Sequence, residues 1–306
     1  MDRHAKDHTA LLEEIAPPDA DVAGAAEGAL PLANLLHDLD GLVALMAGEV
    51  DRNAWLNAFL LAAGANQVAE DYLHDDPVSL PRVERHVRRV LRGPAGRAVG
   101  AAVRAGASVR WWIRDAPGSD HELAQWQSSL GRLVEDLAAF TVQPPDDTTG
   151  GRAREDAAHL HGALPRLPSA ARGAVVRLPS CFRSFDEHPD DIARLTSDFS
   201  RRWPDRRRPL AVVGVRTSGS YTAPLHAAWL RSLGYRDVSV ATWRPDRRWR
   251  RWERAVLDRV RRGGIALVSD DPPKSGGSLG KTIEELRRIG FASDAVVAVV
   301  PIMAGG

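Results

Sequence analysis

Hydrophobic residues in the first half of the chain recur at helical spacing. Between Ala29 and Val142 the clearest run has leucines three or four residues apart. Its members are Leu32, Leu35, Leu36, Leu39, Leu42 and Leu45. This spacing places apolar side chains on one face of an α-helix, and no strand-like alternation competes with it. The pattern predicts an all-helical domain over residues 1–142.

The second half alternates between short apolar runs and longer amphipathic segments. Apolar runs of strand length start near Val175, and each is followed by a segment of helical length. The predicted strands are Leu210–Val215, Asp237–Thr242, a run beginning at Ile265, and Ala295–Ile302. The predicted helices are Pro189–Trp203, Tyr221–Leu233, Arg248–Arg262 and Leu279–Ile289. This order is typical of an α/β domain with a parallel sheet, here over residues 174–306. The chain stops soon after the last predicted strand, so this domain is expected to be compact or truncated at its C-terminus.

Residues 143–173 separate the two parts. Their composition shifts to Pro, Asp, Thr, Gly and Ala without sustained periodicity, most clearly from Pro144 to Gly151. Such composition is typical of an irregular connection, so the sequence predicts a linker here.

The segment from Ile265 to Ser278 carries the strongest indication of function. A buried strand is followed by Asp270 and Asp271, and then by a small-residue loop that opens a helix. Ligands of open α/β sheets bind at the carboxyl ends of strands, and helix N-termini favour anions. The acids would repel a phosphate unless they face hydroxyl groups or a bridging Mg²⁺. The loop therefore predicts a ligand that carries both phosphate and hydroxyl groups.

This segment resembles the phosphoribosyl pyrophosphate (PRPP) loop of type I phosphoribosyltransferases: two acids, two further residues, then a small Gly-rich loop. The resemblance implies that Asp270 and Asp271 contact the ribose hydroxyls and, indirectly, the metal of Mg–PRPP. It implies that the 5′-phosphate binds the amides of Ser275, Gly276, Gly277 and Ser278. Two departures stand out: Pro272-Pro273 replaces two aliphatic residues, and Lys274 stands where the family has a small residue. Lys274, grouped here with the two acids as catalytic, either adds a cation beside the phosphate or marks a specialised or weakened member.

A second match to the same family lies upstream, after the strand Leu210–Val215. The turn there resembles the family's pyrophosphate loop, which presents amides and often a basic residue to the pyrophosphate of PRPP. Its residues are Arg216, Thr217, Ser218, Gly219 and Ser220. Either loop alone is a weak signal, since Gly/Ser-rich turns are common in α/β proteins. The two in order, separated by one strand and one helix, are more specific.

Two further groups are implied by the resemblance. Arg247 and Arg248, in a segment that interleaves arginine and tryptophan, match a mobile loop that closes over PRPP. Phe182, Arg183 and Phe185 precede the core, where the family's acceptor-binding "hood" often lies. Both groups have structural alternatives: cation–π packing for the first and a core strand with its capping turn for the second. RNA binding is a further alternative for the Arg/Trp segment.

A P-loop is a rival interpretation of the same glycines. Ser275–Thr282 nearly satisfies G-x-x-x-x-G-K-[ST], with Ser275 in place of the first glycine. Two of the three lysines in the chain, Lys274 and Lys281, fall at this loop, whereas Lys6 lies far from it. Against a P-loop, Asp-Asp-Pro-Pro separates the strand from the glycines. Under the phosphoribosyltransferase interpretation, Lys281 is an exposed residue of the first helical turn.

Composition narrows the remaining classes of function. The 306 residues carry a formal net charge of +1, which gives no electrostatic case for nucleic acid or an anionic membrane. The one cysteine, Cys181, excludes an internal disulfide and suits a reducing cytoplasm. The uncharged run from Asn53 to Ala69 contains Asn and Gln, which argues against a membrane-spanning helix.

His and Asp residues in the helical part invite comparison with HD-type metal phosphohydrolases, which gather these residues from several helices. The pairs are His37-Asp38 with Asp40, and His74-Asp75 with Asp76; His86 and His121 are further possible ligands. Their spacing is not diagnostic, and capping or surface roles are favoured.

The sequence thus predicts a phosphoribosyltransferase-like enzyme that uses Mg–PRPP with an unidentified acceptor, or splits a nucleotide in the reverse direction. A non-catalytic module that binds PRPP or a nucleotide is the first alternative, and a P-loop NTPase is the second. No chemistry is assigned to the helical domain. The sequence leaves open whether this domain binds a protein partner, a substrate or a second copy of the chain.

Overall fold

The computed structural model describes residues 36–74, 121–177, 189–245, 247–272 and 276–301. The helices are α1 (Leu39–Asp51), α2 (Trp55–His74), α3 (His121–Val142), α4 (Asp147–Ala163), α5 (Ser169–Arg172), α6 (Pro189–Arg202), α7 (Gly219–Ser232), α8 (Arg251–Val260) and α9 (Gly277–Arg288). The strands are β1 (Leu36–Asp38), β2 (Val175–Arg177), β3 (Leu210–Val215), β4 (Val238–Trp243), β5 (Ile265–Ser269) and β6 (Val296–Val299).

Four parallel strands form the central sheet in the order β4-β3-β5-β6. Leu210 of β3 is in register with Val238 of β4 on one side and Ile265 of β5 on the other. The parallel α/β sheet expected from the alternating sequence pattern is therefore confirmed. β2 does not join this sheet, because it pairs with β1 in a separate antiparallel ribbon.

Helices cover both faces of the central sheet. Ala211 and Val213 of β3 face the side covered by α8 and α9, whereas Leu210 and Val212 face α6 and α7. A strand buried on both faces needs no polar positions, which explains why every residue of β3 is buried.

The helices α1–α4 form a further layer on the outer side of α7. Tyr221, Leu225 and Ala228 of α7 share one hydrophobic cluster with residues of α2 and α3 such as Phe59 and Leu130. α7 is thus buried between the sheet and this layer, and apolar side chains surround it on nearly all sides. Independent folding of the first 142 residues stays a prediction of the sequence.

Residues 143–173 are largely helical, where the sequence predicts a linker. Asp146 caps α4 by accepting a hydrogen bond from the Thr149 backbone N–H at 2.7 Å. Ala153, Ala157 and Leu160 recur at helical spacing and are buried. The apolar stripe of α4 consists mainly of alanine, which explains why the hydrophobic pattern was too weak to predict it.

The N-terminal part is also not entirely helical in the described residues. Leu36–Asp38 forms β1, whose partner β2 comes from the far side of α4 in the chain. The spacing of leucines near β1 could not predict this strand, because its partner β2 lies far along the chain. None of the described helices combines the length and apolar character needed to span a bilayer.

Candidate functional site

Two loops meet where the connections of the sheet diverge. The chain leaves β3 through α7 towards β4, and it leaves the adjacent β5 through α9 towards β6 on the opposite side. In open α/β sheets this switch point creates a crevice outside the carboxyl ends of the strands. Ser218, after β3, donates a hydrogen bond from Oγ to Oδ1 of Asp270, after β5, at 3.0 Å. The two loops that the sequence predicted as parts of one site are therefore in direct contact.

Asp270 is a buried carboxyl group in this crevice. Its side chain is 8% exposed, and Oδ1 also accepts the Asp271 backbone N–H at 3.0 Å. Burial, together with the charge of Asp271, raises the pKa of Asp270 to about 7, although the hydrogen bond from Ser218 opposes the rise. Asp270 is therefore able to hold or release a proton near neutral pH, while Asp271 is half-buried beside it.

Arg216 is directed away from the crevice. Its guanidinium lies 2.7 Å from Glu70 Oε2 and donates to Asp71 Oδ1 at 3.0 Å and, from Nε, to Thr242 Oγ1 at 2.9 Å. The side chain is 2% exposed, so a pyrophosphate in the crevice has no access to it. Arg216 instead fastens the start of the loop to α2, and its peptide bond to Thr217 is cis.

The ion pairs of Arg216 belong to a larger network that is buried at Glu70 and Glu253 and partly exposed at Asp71 and Arg244. Arg244 pairs with Asp71 at 2.9 Å, and Glu253 lies 3.7 Å from Arg216. Glu70 also accepts a hydrogen bond from Thr242. Buried charges persist where they are paired and hydrogen-bonded, so these contacts hold α2, β4, α8 and the loop in one arrangement.

The roles of Glu70 and Asp71 could not be predicted from the sequence, because α2 contains no motif. The one available signal was a pair of acids inside the otherwise apolar and neutral helix sequence from Trp55 to Leu73. A buried acid requires a cationic partner, and such a pair predicts one without saying which arginine supplies it.

Gly219 has a packing role. A Cβ added to Gly214 would overlap the Gly219 carbonyl, and a Cβ on Gly219 would overlap the Gly214 backbone. The end of β3 and the first turn of α7 therefore pack backbone against backbone. Of the remaining predicted loop residues, Thr217 is exposed and Ser220 is buried in the first turn of α7.

The N-terminus of α9 lies after the second loop. Gly276 adopts a left-handed conformation with φ of 69°, which favours glycine, and the helix starts at Gly277. Gly277 and Ser278 are exposed. First-turn N–H groups lack acceptors within their helix, so an exposed helix N-terminus of this kind suits an anion. Lys274 and Ser275 of the predicted loop lie outside the described residues, as do Phe182, Arg183 and Phe185.

The P-loop interpretation does not match this geometry. Residues 277–280, which would have to form the phosphate-binding loop, lie in the first turn of α9. Thr282, the residue that would hold Mg²⁺, is fully buried and donates its hydroxyl to the Ser278 carbonyl at 2.8 Å. Lys281 is exposed, as the phosphoribosyltransferase interpretation predicts.

The Arg/Trp segment lies between β4 and α8. Arg247 and Arg248 are exposed, and the Arg247 carbonyl accepts a hydrogen bond from Trp243 Nε1 at 3.0 Å. Trp243 and Trp249 stack with ring centroids 5.6 Å apart. Two of the tryptophans thus pack on each other inside the protein, and Arg247 and Arg248 are exposed at the carboxyl end of the edge strand.

The acids of the first His/Asp pair have structural roles. Asp38 caps α1 by accepting the Gly41 N–H at 2.8 Å. Asp40 forms a bidentate ion pair with Arg172, which lowers the pKa of Asp40. Asp75, Asp76 and His86 lie outside the described residues. The capping role favoured from the sequence is therefore confirmed for Asp38.

Comparisons with protein-family models, with curated proteins and with solved structures found no match to this chain.

Proposed function

We propose that the crevice between β3 and β5 binds PRPP as its Mg²⁺ complex and transfers the phosphoribosyl group to an acceptor, or catalyses the reverse reaction. The observation that carries the proposal is the hydrogen bond between Ser218 and Asp270. It joins a turn of the pyrophosphate-loop type to an acidic loop of the ribose-binding type at the switch point of a parallel sheet. Each of these features is common in α/β proteins. The specific observation is that the two loops occur in this order along the chain and are in direct contact.

Each part of PRPP has a matching group in this proposal. The N-terminus of α9 receives the 5′-phosphate, and Asp270 and Asp271 accept hydrogen bonds from ribose hydroxyls. The backbone N–H groups of Thr217 and Ser218 receive the pyrophosphate, since the N–H of Arg216 donates to the Trp243 carbonyl. Adjacent carboxylate oxygens are the donors that Mg²⁺ favours, so the acidic pair fits a metal carried by the substrate. The metal, when bound, supplies charge neutralisation for the pyrophosphate.

The residues contribute positioning and electrostatics. Breaking the bond between C1 and pyrophosphate gives an oxocarbenium-like centre, which the acceptor must reach in line. Carboxylates beside the ribose stabilise the positive charge that develops there. With a pKa near neutrality, Asp270 is matched to receive the proton that the acceptor loses.

A non-catalytic module that binds PRPP or a nucleotide is a second candidate, and one observation favours it. Within the described parts of the two loops, Arg216 is the only basic residue, and its guanidinium is committed to the carboxylates of α2. Pyrophosphate departure is slower where Mg²⁺ neutralises it without the help of a basic side chain. Measured turnover with PRPP separates the two candidates, since a binding module retains affinity and releases no pyrophosphate.

The test is titration of PRPP with and without Mg²⁺ against wild type and the double variant Asp270→Asn/Asp271→Asn. We expect the double variant to fold and to lose PRPP binding, because both acids lie at an open strand end. In the wild type, a ligand at 100 times its Kd raises the unfolding free energy by about 2.7 kcal/mol. Unchanged affinity in the double variant contradicts the ribose assignment.

A pair of variants in the second loop provides the control. Gly276→Val should eliminate binding, because valine strongly disfavours the left-handed conformation that aligns the first turn of α9. Lys281→Ala, five residues on, should leave PRPP binding unchanged. Loss of all nucleotide binding in the Lys281 variant alone would favour the P-loop despite its geometry.

A further inference from the structure

A second cavity lies between the helical layer and the edge strand of the sheet. It has a volume of about 490 Å³ and is lined by residues of α2, α3, α7, β4 and α8. Ser218, Asp270 and Asp271 are not among the lining residues. The volume falls in the range of small-molecule sites, which is roughly 300–1,000 Å³.

Buried polar groups line this cavity. Glu70, Gln127, Ser220 and Thr242 are each at most 8% exposed. Gln127 Nε2 donates to Asn66 Oδ1 at 3.0 Å, and Asn66 Nδ2 donates to Glu70 Oε1 at 3.1 Å. The Ser220 hydroxyl is buried without a hydrogen-bond partner among the described residues. Buried polar groups set in an apolar wall are typical of a site that orients a ligand.

Gly131 keeps one wall of the cavity open. It lies in the interior of α3, where glycine is less favourable than alanine. A Cβ at this position would have no neighbour closer than 3.9 Å, and those neighbours are Asn66 Oδ1 and Gln127 Nε2 of the cavity wall. Close packing therefore does not require a glycine here. A larger side chain at position 131 would occupy the cavity.

The charges around the cavity disfavour an anionic ligand. Arg132, the only basic residue in the described lining, is exposed and donates to Ser129. The acids Glu70 and Glu135 also line the cavity and are paired with Arg216 and Arg231. An anion would face these carboxylates without a buried cation of its own. Amide groups and a carboxylate instead suit a neutral ligand with N–H and C=O groups.

Trp252 adds a flat apolar surface. It lines the cavity from the first turn of α8, and it is 43% exposed. A large exposed aromatic side chain beside buried polar groups favours a planar ligand, because one face of the ligand stacks while its edge forms hydrogen bonds.

We infer that this cavity is a binding site for a neutral, planar nitrogen heterocycle of about nucleobase size. The ligand stacks on Trp252 and forms hydrogen bonds through its edge with Gln127, Asn66 and Glu70. The inference requires neither PRPP nor the crevice between β3 and β5, so it stands or fails independently of the proposed phosphoribosyl transfer.

The test measures binding of adenine, hypoxanthine, uracil and nicotinamide to the full-length protein by calorimetry and saturation-transfer NMR. We expect at least one probe to bind the wild type. Gly131→Leu should weaken that binding about tenfold or more by filling the cavity, whereas Gly131→Ala should retain it. The alanine variant is the matched control, since its added Cβ fits without displacement.

Trp252→Ala provides a second variant in case Gly131→Leu fails to fold. Because Trp252 is exposed at the rim, its removal leaves the core unchanged and should also weaken probe binding about tenfold. The inference is overturned if no probe binds up to its solubility limit. It is also overturned if a probe binds equally well to the folded Gly131→Leu and Trp252→Ala variants.

Discussion

The guanidinium of Arg216 and the carboxylate of Glu70 form an ion pair at 2.7 Å that joins the loop after β3 to the end of α2. Both side chains are almost fully buried. Removing one partner of such a pair leaves the other as an uncompensated buried charge. The helical layer therefore positions one of the two loops of the proposed site.

Glu70→Gln tests this dependence. The substitution preserves the shape of Glu70 but leaves Arg216 with less negative charge around it. We expect the free energy of unfolding to fall by about 3 kcal/mol, measured by urea denaturation. PRPP affinity should fall as well, because the loop start is no longer fixed.

Glu284→Gln is the matched control, since Glu284 is an exposed residue of α9. Surface substitutions of this kind change stability by about 0.5 kcal/mol or less. Equal effects of the two substitutions would mean that the ion pair does not hold the loop.

Asp270 should make the protein less stable as the pH rises. The pKa of Asp270 is about 7 in the folded state, whereas its ordinary value, expected in the unfolded state, is 3.8. Between pH 3.8 and about 7 the folded state therefore holds a proton that the unfolded state has lost. Stability therefore falls with rising pH across this window and levels off above it. Asp270→Asn should remove this slope and stabilise the protein above pH 7 by an amount on the order of a few kcal/mol. Urea midpoints from pH 4 to 8 measure it, and identical pH profiles for variant and wild type would refute the burial argument.

PRPP binding should show the opposite dependence on pH. The proposed site uses Asp270 as a carboxylate, so affinity should decrease as the pH falls through about 7. Calorimetric titration at pH 6, 7 and 8 measures this change. A flat profile would indicate that Asp270 does not take part in binding.

His226 should destabilise the protein in acid. Its ring is fully buried in α7, with Nδ1 2.8 Å from Thr196 Oγ1, and burial lowers the pKa of His226 to about 3. Between pH 6.5 and 3 the unfolded state binds a proton that the folded state rejects, so stability falls as the pH falls through this window. His226→Leu should flatten this part of the urea-midpoint profile. The exposed His159→Gln substitution is the control, and an equal flattening there would contradict the prediction.

Truncation tests whether the helical part is a separate domain. A fragment of residues 143–306 exposes the apolar side of α7 that carries Tyr221, Leu225 and Ala228. We expect this fragment to aggregate, since large exposed apolar patches promote association. Limited proteolysis of the intact chain should spare residues 147–163, which form the packed helix α4. A soluble, monomeric fragment with an α/β circular-dichroism spectrum would instead support two independent domains.

Much of the α/β part could be predicted from the sequence. The apolar pattern predicts the strand Leu210–Val215 with its observed bounds, and the helix from Pro189 ends within one residue of its predicted end. Fully buried parallel strands are continuous apolar runs bounded by turns, which is a local signal. The approach of Ser218 to Asp270 followed from the same rule, because parallel strands bring their carboxyl ends to one edge.

The parts that could not be predicted depend on distant partners. The direction of the Arg216 side chain is decided by Glu70 and Asp71, which belong to another layer of the fold. The local sequence shows a basic residue in a loop of the kind that binds a ligand. It does not show that carboxylates of α2, distant in the chain, compete for the same guanidinium.

The contact between Gly214 and Gly219 limits how sequences descended from the same ancestor can diverge. Of the residues between these glycines, the exposed Thr217 is free to vary, whereas Val215 and Arg216 are buried and Ser218 donates a hydrogen bond to Asp270. Neither glycine tolerates a side chain without separating α7 from the sheet. Any homologue that retains this loop should therefore carry glycine at both positions, even after its overall similarity has faded, and this spacing is a physical marker for recognising remote relatives.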